Sequence, residues 1–485
     1  MSNDRMGVDL FDFKNKTNEQ ILAEVQEVED EYKLKEMKKN FEQSVAQFEK
    51  ELYELETQKQ LKEKRKKAEH VRIAKAIQRD YHIRYYYGDF YIYNDCGCYK
   101  PNKTKIEQEI INNSSNSSIH LRKEVLDYLR IQNTIDTNSL DRDYINFNNC
   151  LYNLETKQTC SYTPDIFTTC QLHVRYIPDD ELVVDKDIET FLDDITCKDK
   201  ERKLAILQFL GYSMTFRVNC QKACFLYSTR GGTGKSTLLE IIEKIFGDEN
   251  SCSISLKQYS EKFTSSNIVG KILNTVHETS KKIITDIETF KAAVCGNKVT
   301  LERKYFDAKD YYPFVKNWFA MNRLPQLQEG VADDAYYRRL LIIKFNAFFS
   351  QEKKDKFNKE NLFKQDSLDY LANIALRAYL KMLDNNTIQF ANQKESNELI
   401  KLYQNTSDSI TMFLGEFSNI HNKDKEIKRY DMYKEYEKWC IDNKMSTEKK
   451  SDFYNKVIDS GLYQEKEHQK NKYYKFVGQD TNKPD

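Results

Sequence analysis

Apolar residues near the start of the chain recur at helical spacing. Met37, Phe41, Val45, Phe48, Leu52 and Leu55 follow one another at steps of three or four, which predicts an amphipathic helix. Residues 1–80 are almost free of Gly and Pro and crowded with Glu, Lys and Gln, so nothing in them interrupts that helix. The seam is short, about three heptads, and can pack on its own chain or coil with a neighbouring subunit. From Tyr81 the pattern changes: YYYGDFYIYNDCGCYK predicts strands with aromatics dense enough for a buried sheet. A polar loop over residues 112–118 precedes a helical pattern through Val125, Leu126 and Leu129. Residues 188–217 alternate apolar and charged positions at helical period before an apolar strand, Ala223 to Tyr227. Beyond it, Leu368, Leu371, Ala375, Ala378 and Met382 mark another helix, and residues 385–387 read as a linker.

These shifts predict an α/β protein in four parts: a helical segment 1–80, an α+β domain 81–200, a core 201–390 and a C-terminal unit 395–485. In that last unit, residues 427–443 and 448–460 pattern as helices, and LYQEKEHQKNKYYKFVG as a hairpin.

Composition narrows the class. The 485 residues are 39% hydrophobic and 31% charged, with a mean hydropathy of −0.77. No run reaches the roughly 18 apolar residues of a membrane span, and no apolar signal core opens the chain, so a cytoplasmic protein with no membrane partner is expected. Lys+Arg and Asp+Glu both number 76, so any DNA binding must come from local patches. The 11 cysteines include no CxxC pair, which favours reduced thiols over a metal site.

The chemistry concentrates after Ala223. LYSTRGGTGKSTLLEII has the form strand, glycine-rich turn, helix. Residues Thr229, Arg230, Gly231, Gly232, Thr233, Gly234, Lys235, Ser236 and Thr237 can wrap a nucleotide's phosphates in backbone N–H groups at a helix N-terminus. Lys235 would hold the β and γ phosphates of ATP, and Ser236 would coordinate Mg²⁺. The strict phosphate-loop pattern has glycine where Thr229 stands.

A second strand, KILNTV, ends at His277-Glu278. Glu278 is the candidate general base and a second Mg²⁺ ligand. Many such ATPases carry two adjacent acids here; this chain has His277, which also reads as a plain polar strand-end residue. A third strand, WFAM, ends at Asn322, whose amide can orient the lytic water. DDAYYRRLLIIKF then sets Arg338 and Arg339 before a buried strand, where one can act as an arginine finger on a neighbouring subunit while the other pairs with Asp333 or Asp334. Between Glu278 and Asn322, residues 299–305 alternate like a strand, 307–310 form a turn and 312–321 return, which predicts a hairpin with Lys309 at its tip and Arg303 and Lys304 near its base. The plain reading of Lys309 is a turn lysine paired with a neighbouring Asp.

This ordered set resembles the superfamily 3 helicases, in particular the phage, plasmid and poxvirus primase-helicase branch. The similarity is carried by GKIL with its nearby acid, by CGNKVTLERKYFDAKDYYPFVKNWFAMNRLP and by DDAYYRRLLIIKF, and it runs from about Tyr81 onward with the N-terminal helix outside it. The resemblance implies an AAA+ core, hexameric rings, ATP hydrolysis between subunits and translocation on single-stranded DNA, with the hairpin projecting into the pore and Lys298, Arg303, Lys304 and Lys309 as its candidate DNA-binding residues. The C-terminal unit resembles a winged helix, with Lys449, Lys450, Lys456, Lys470 and Lys472 as phosphate contacts on double-stranded origin DNA. Acids interleaved with these lysines leave a protein-contact role open for it. About 80 residues before the shared region are too few for a catalytic primase. The chain is therefore expected to be an ATP-dependent helicase and replication initiator of a mobile element, possible host replication proteins being further partners. The alternatives are a primase-associated helicase without origin specificity, and a non-enzymatic origin-binding switch that uses ATP only to oligomerise.

Overall fold

The computed structural model describes residues 17–485 except 115–117, 137–139, 279–283, 303–307, 326, 328–330, 332, 350–358, 386–387, 408, 421–425, 443–446, 469–470 and 478–485. Two compact units divide the chain: one comprises residues through Asp80 with Lys105–Gln132, the other Tyr81–Thr104 with everything from Asn133.

In the first unit, α1 (Asn18–Asp80) is one helix of 63 residues with no Gly or Pro in it. Its described apolar side chains from Leu22 to Leu61 stay exposed, Met37, Phe48 and Leu55 among them. Only near its end do Ile73, Ala74 and Ile77 become buried. Residues 105–132 were expected with the rest of 81–200, yet they cluster with α1. The physical reason is that α2 (Lys103–Asn112) and α3 (Ile119–Asn133) bury Ile106, Ile110, Leu121, Val125 and Leu129. The Arg72 guanidinium donates to the Asn113 carbonyl at 2.9 Å, and His70 meets Tyr128 edge-on.

The second unit opens with two antiparallel sheets. Strands β1 (Ile83–Tyr86), β2 (Asp89–Tyr93) and β3 (Tyr99–Pro101) form the first, and β4 (Tyr144–Asn146), β5 (Leu151–Asn153) and β6 (Gln158–Cys160) the second. The aromatics of the first do pack: Tyr86, Tyr91 and Tyr99 each meet Phe167 edge-to-face. Helices α4 (Lys186–Thr196) and α5 (Lys200–Ser213) follow, with Asp185 and Asp199 accepting from their first-turn N–H groups.

The centre is a five-stranded, wholly parallel sheet. It contains β7 (Ala223–Tyr227), β8 (Ser251–Cys252), β9 (Leu273–Val276), β12 (Lys316–Met321) and β13 (Leu340–Lys344), in the spatial order β13-β7-β12-β9-β8. Every residue of β9 and β12 is buried, as a parallel strand covered on both faces must be. Between them lie α6 (Lys235–Phe246), α7 (Glu288–Cys295), the short hairpin β10 (Val299–Leu301) and β11 (Lys309–Tyr311), and α8 (Asp334–Tyr337). A long helix, α9 (Gln365–Asp384), packs on α5 so closely that a Cβ on Gly211 would come within 2.2 Å of the Ala375 carbonyl oxygen. The chain is thus a mixed α/β protein built on a parallel sheet.

Helix Gln393–Ser407 belongs to this large core, because Ile400 and Tyr403 are buried in it and the Ser396 hydroxyl accepts the Ile342 N–H at 2.9 Å. The separate C-terminal core therefore starts near Ser409, not at 395. It comprises helices Ser409–Ile420, Arg429–Asp442 and Lys450–Asp459 with an antiparallel sheet of β14 (Ile427–Lys428), β16 (Asn471–Phe476) and β15 (Tyr463–His468), in that order. Phe413, Met432, Tyr436, Phe453 and Tyr474 fill it, Tyr436 stacking on Phe453 at 4.7 Å. Two expected helix starts shift: residues 427–428 pair with β16 as a strand, and Glu448 and Lys449 precede their helix. No described helix is long and apolar enough to cross a membrane.

Candidate functional site

β7 delivers the chain at Tyr227 to the carboxyl edge of the sheet, where the glycine-rich turn reverses it into α6. The chain then runs to the far edge strand β8, whereas after β12 it crosses to the opposite edge strand, β13. The crevice between β7 and β12 is thus the switch point at which open α/β sheets bind ligands. Gly232 and Gly234 have φ of 71° and 87°, and a Cβ on Gly234 would lie 2.5 Å from Ile195 of α4. Only glycine fits there. Thr229 is not among the residues with positive φ, so the turn closes without glycine at that position. No side chain caps α6, which leaves its first N–H groups available at the crevice.

A cavity of about 810 Å³ opens at this point, lined by residues 229 and 231–237, His277, Glu278, Asn322 and Arg323. Lys235 is 7% exposed. Its ammonium donates to the Thr233 hydroxyl at 3.1 Å, to the Asn322 amide oxygen at 3.0 Å and to the Ser228 hydroxyl. Burial lowers its pKa below the ordinary lysine value. The Ser228 hydroxyl in turn donates to the Arg230 carbonyl at 2.6 Å. Glu278 and Ser236 are exposed on the cavity wall. His277 is occupied elsewhere: its Nε2 meets the Glu243 carboxylate of α6 at 2.8 Å, and Thr275 donates to the same oxygen. Four expected groups, Lys235, Ser236, Glu278 and Asn322, therefore share one space.

The structure adds Ser228, Arg323, Phe191, Phe349 and Lys359 to this space or its frame. Lys359 is paired with Glu240 at 2.5 Å. Arg323 follows Asn322 directly and could have been found by asking what else a strand end presents. Phe191, Phe349 and Lys359 carry no local signal, because they arrive from distant segments.

Arg338 and Arg339 lie at the other edge of the sheet, just before the first residue of β13. Lys344 is level with Tyr227, so Leu340, where β13 starts, is four strand steps from the cavity's level, roughly 13 Å at about 3.3 Å per residue, and both arginines lie in the turn beyond it. Neither arginine can reach its own chain's cavity. Arg338 is exposed. Arg339 is buried, and its guanidinium donates to the Lys291 carbonyl and the Cys295 sulfur, both at 3.1 Å, and to the Ala335 carbonyl. The expected partner of Asp333 is instead Lys291, at 2.8 Å.

The hairpin differs in register from its expectation. Leu301 pairs with Lys309, so Lys309 is the first residue of the return strand and not the tip. The return strand ends at Tyr311, and Lys316–Met321 is the central strand β12. Tyr87 donates to the Lys309 carbonyl at 3.2 Å, and a Cβ on Gly88 would collide with the Lys309 ammonium. Lys298 pairs with Asp310 at 3.0 Å. Arg303 and Lys304 lie outside the described residues.

In the C-terminal unit Lys449 and Lys450 are exposed, Lys450 lying 5.1 Å from the Tyr430 ring centre. Lys456 approaches Glu448 at 3.9 Å, and Lys472 pairs with Glu465 at 2.9 Å. Lys470 lies outside the described residues. Among the described residues no cluster of three or more His, Cys, Asp and Glu could hold a metal.

Two family models match parts of the chain. Residues 9–197 match one described as "D5 N terminal like", and residues 226–339 one described as "Family of unknown function (DUF5906)". The first takes in the N-terminal helix, which the sequence resemblance had left outside. No curated protein matches. Among solved structures, the A form apo structure of the NrS-1 C terminal region is 13% identical, covers 84% of this chain and 99% of that one, and has a TM-score of 0.45. The apo structure of NrS-1 residues 305–718 is 12% identical, covering 84% and 98%, also at 0.45. A JCV helicase bound to a small molecule is 14% identical, covering 49% and 68%, at 0.28.

Proposed function

We propose that this protein is an ATP-hydrolysing DNA helicase of the superfamily 3, AAA+ type, acting in replication as a ring of identical subunits. The observation that carries the reading is the cavity at the carboxyl edge of the sheet, where a buried lysine, an uncapped helix N-terminus and an exposed carboxylate face one space.

The residues fit a nucleoside triphosphate. The turn that excludes a Cβ at Gly234 brings backbone N–H groups close to a ligand's phosphates. Lys235, held by Ser228, Thr233 and Asn322, places its charge where the β and γ phosphates would lie. Ser236 and Glu278 are the hard oxygen donors that would hold Mg²⁺, which when bound neutralises phosphate charge. Glu278 takes the proton of the attacking water, and Asn322 fixes that water's direction. Arg323 adds a second cation at the same rim. Arg338 is exposed at the end of β13 remote from its own cavity, so it acts on the nucleotide of a neighbouring copy. The β10–β11 hairpin supplies Lys298 and Lys309 to DNA. The C-terminal unit, with the helix-strand-helix-helix-strand-strand order of a winged helix, binds duplex DNA through Lys449, Lys450, Lys456 and Lys472.

The test is ATP turnover by the full chain with and without single-stranded DNA. DNA-stimulated turnover in the wild type, lost in Lys235→Ala, is expected. A wild-type protein that binds ATP but turns none over with any DNA would favour the oligomerisation switch instead.

A further inference from the structure

Two adjacent arginines have opposite surroundings: Arg338 is exposed, while Arg339 is buried with its Nε and Nη1 donating to acceptors of its own chain. The acceptors of Arg339 lie mostly on one helix, since the Lys291 carbonyl and the Cys295 sulfur belong to α7. The same helix holds the other end of the α8 turn. The Lys291 ammonium meets the Asp333 carboxylate at 2.8 Å, and Asp333 caps α8 by accepting the Tyr336 N–H at 2.7 Å. A third cation fixes the backbone between them: the Lys222 ammonium donates to the carbonyls of Arg338 at 2.7 Å and Leu340 at 3.1 Å. Ala223 N–H donates to the Arg339 carbonyl at 2.8 Å, which ties the turn to the strand that carries the glycine-rich loop.

The far end of α7 leads into the hairpin. Its C-cap, Gly296, has φ of 66°, and a Cβ there would lie 2.6 Å from Val218. Val299 starts β10 three residues later. One short helix thus carries both the turn that presents Arg338 and β10, the first strand of the hairpin.

We propose that Arg339, Lys291 and Lys222 are positioning residues that aim Arg338 at a neighbouring copy's nucleotide, and that α7 makes this turn and the β10–β11 hairpin one mechanical unit. A movement of the hairpin on DNA then reaches Arg338 without passing through the chain's own cavity. This rests on the motor reading above and adds to it the residues that link DNA to hydrolysis. A planar guanidinium held by these acceptors resists rotation, whereas a lysine in its place would offer a freely rotating ammonium that fixes no plane. Arg339 is therefore the mount and Arg338 the part mounted.

The experiment compares full-length Lys291→Met, Lys291→Arg and Lys222→Met with Arg338→Ala, measuring ATP turnover, binding of a fluorescent ATP analogue, DNA stimulation and Tm. Lys291→Met is expected to bind the analogue like the wild type, because its cavity is at the other edge. Its kcat should fall about tenfold or more with KM little changed, as a displaced catalytic group would cause. DNA should no longer raise the rate, and Lys291→Arg should restore part of both, since a guanidinium still reaches Asp333. If Lys291→Met does not fold, Lys222→Met carries the same expectation. Wild-type kcat in these variants beside an inactive Arg338→Ala overturns the positioning role and leaves the motor reading standing. A reduced kcat with undiminished DNA stimulation overturns the α7 linkage. Absence of turnover in the wild type removes the motor reading itself.

Discussion

The two edges of the parallel sheet each bury a lysine, and they use it differently. At the carboxyl edge, Lys235 is 7% exposed and its ammonium is surrounded by side-chain oxygens beside an open cavity. At the amino edge, Lys316 is 1% exposed and donates to the Thr215 carbonyl at 2.8 Å and the Phe314 carbonyl at 2.7 Å, with the Tyr212 ring 4.8 Å away. Burial lowers both pKa values, and it pushes that of Lys316 down to about 7. A perturbed lysine is thus not by itself a site. Lys235 has exchangeable partners and room for a ligand, so its charge is on call; Lys316 spends its donors on fixed backbone.

Lys235→Ala should cut ATP turnover by about a thousandfold or more while circular dichroism and Tm stay near wild type, since on the proposed reading the variant removes a phosphate contact and a buried cation together. A large loss of Tm would move Lys235 into the same structural class as Lys316. Glu278→Gln should retain ATP binding and lose turnover by about a hundredfold, the usual range for removing a general base. Equal loss of binding and turnover would instead make Glu278 a ligand-holding group only. Asn322→Ala should cost about tenfold, because it displaces water and also frees one side of Lys235.

Lys316→Met should change turnover by less than about twofold, and its effect belongs to stability. The folded-state pKa of Lys316 lies below the unfolded value, so between about 7 and the ordinary lysine range the unfolded chain binds more protons. Stability contributed by this site therefore rises as pH rises through that window. Measured as the Tm difference between Lys316→Met and wild type, the variant's relative advantage should shrink from pH 7 upward. A difference that is flat with pH would mean that Lys316 stays charged when buried.

Much of the parallel sheet and of its carboxyl edge was legible in the chain itself. Three glycines ahead of Lys235 and Ser236, strand patterns ending at Glu278 and Asn322, and an apolar run after Arg339 are local signals, because backbone conformation and helix termini depend on neighbours in sequence. The long α1 was equally plain, since nothing in its 63 residues breaks a helix. Tertiary structure decided what depends on distant partners. It grouped residues 105–132 with α1, gave the helix Gln393–Ser407 to the large core through Ile400 and Tyr403, and turned Lys309 from a tip into a strand residue by pairing it with Leu301. It also separated two identical side chains one residue apart. Nothing in the string Arg338-Arg339 distinguishes them; α7, packed beneath the turn, supplies acceptors to one side only, and that asymmetry buries one guanidinium and leaves the other facing outward.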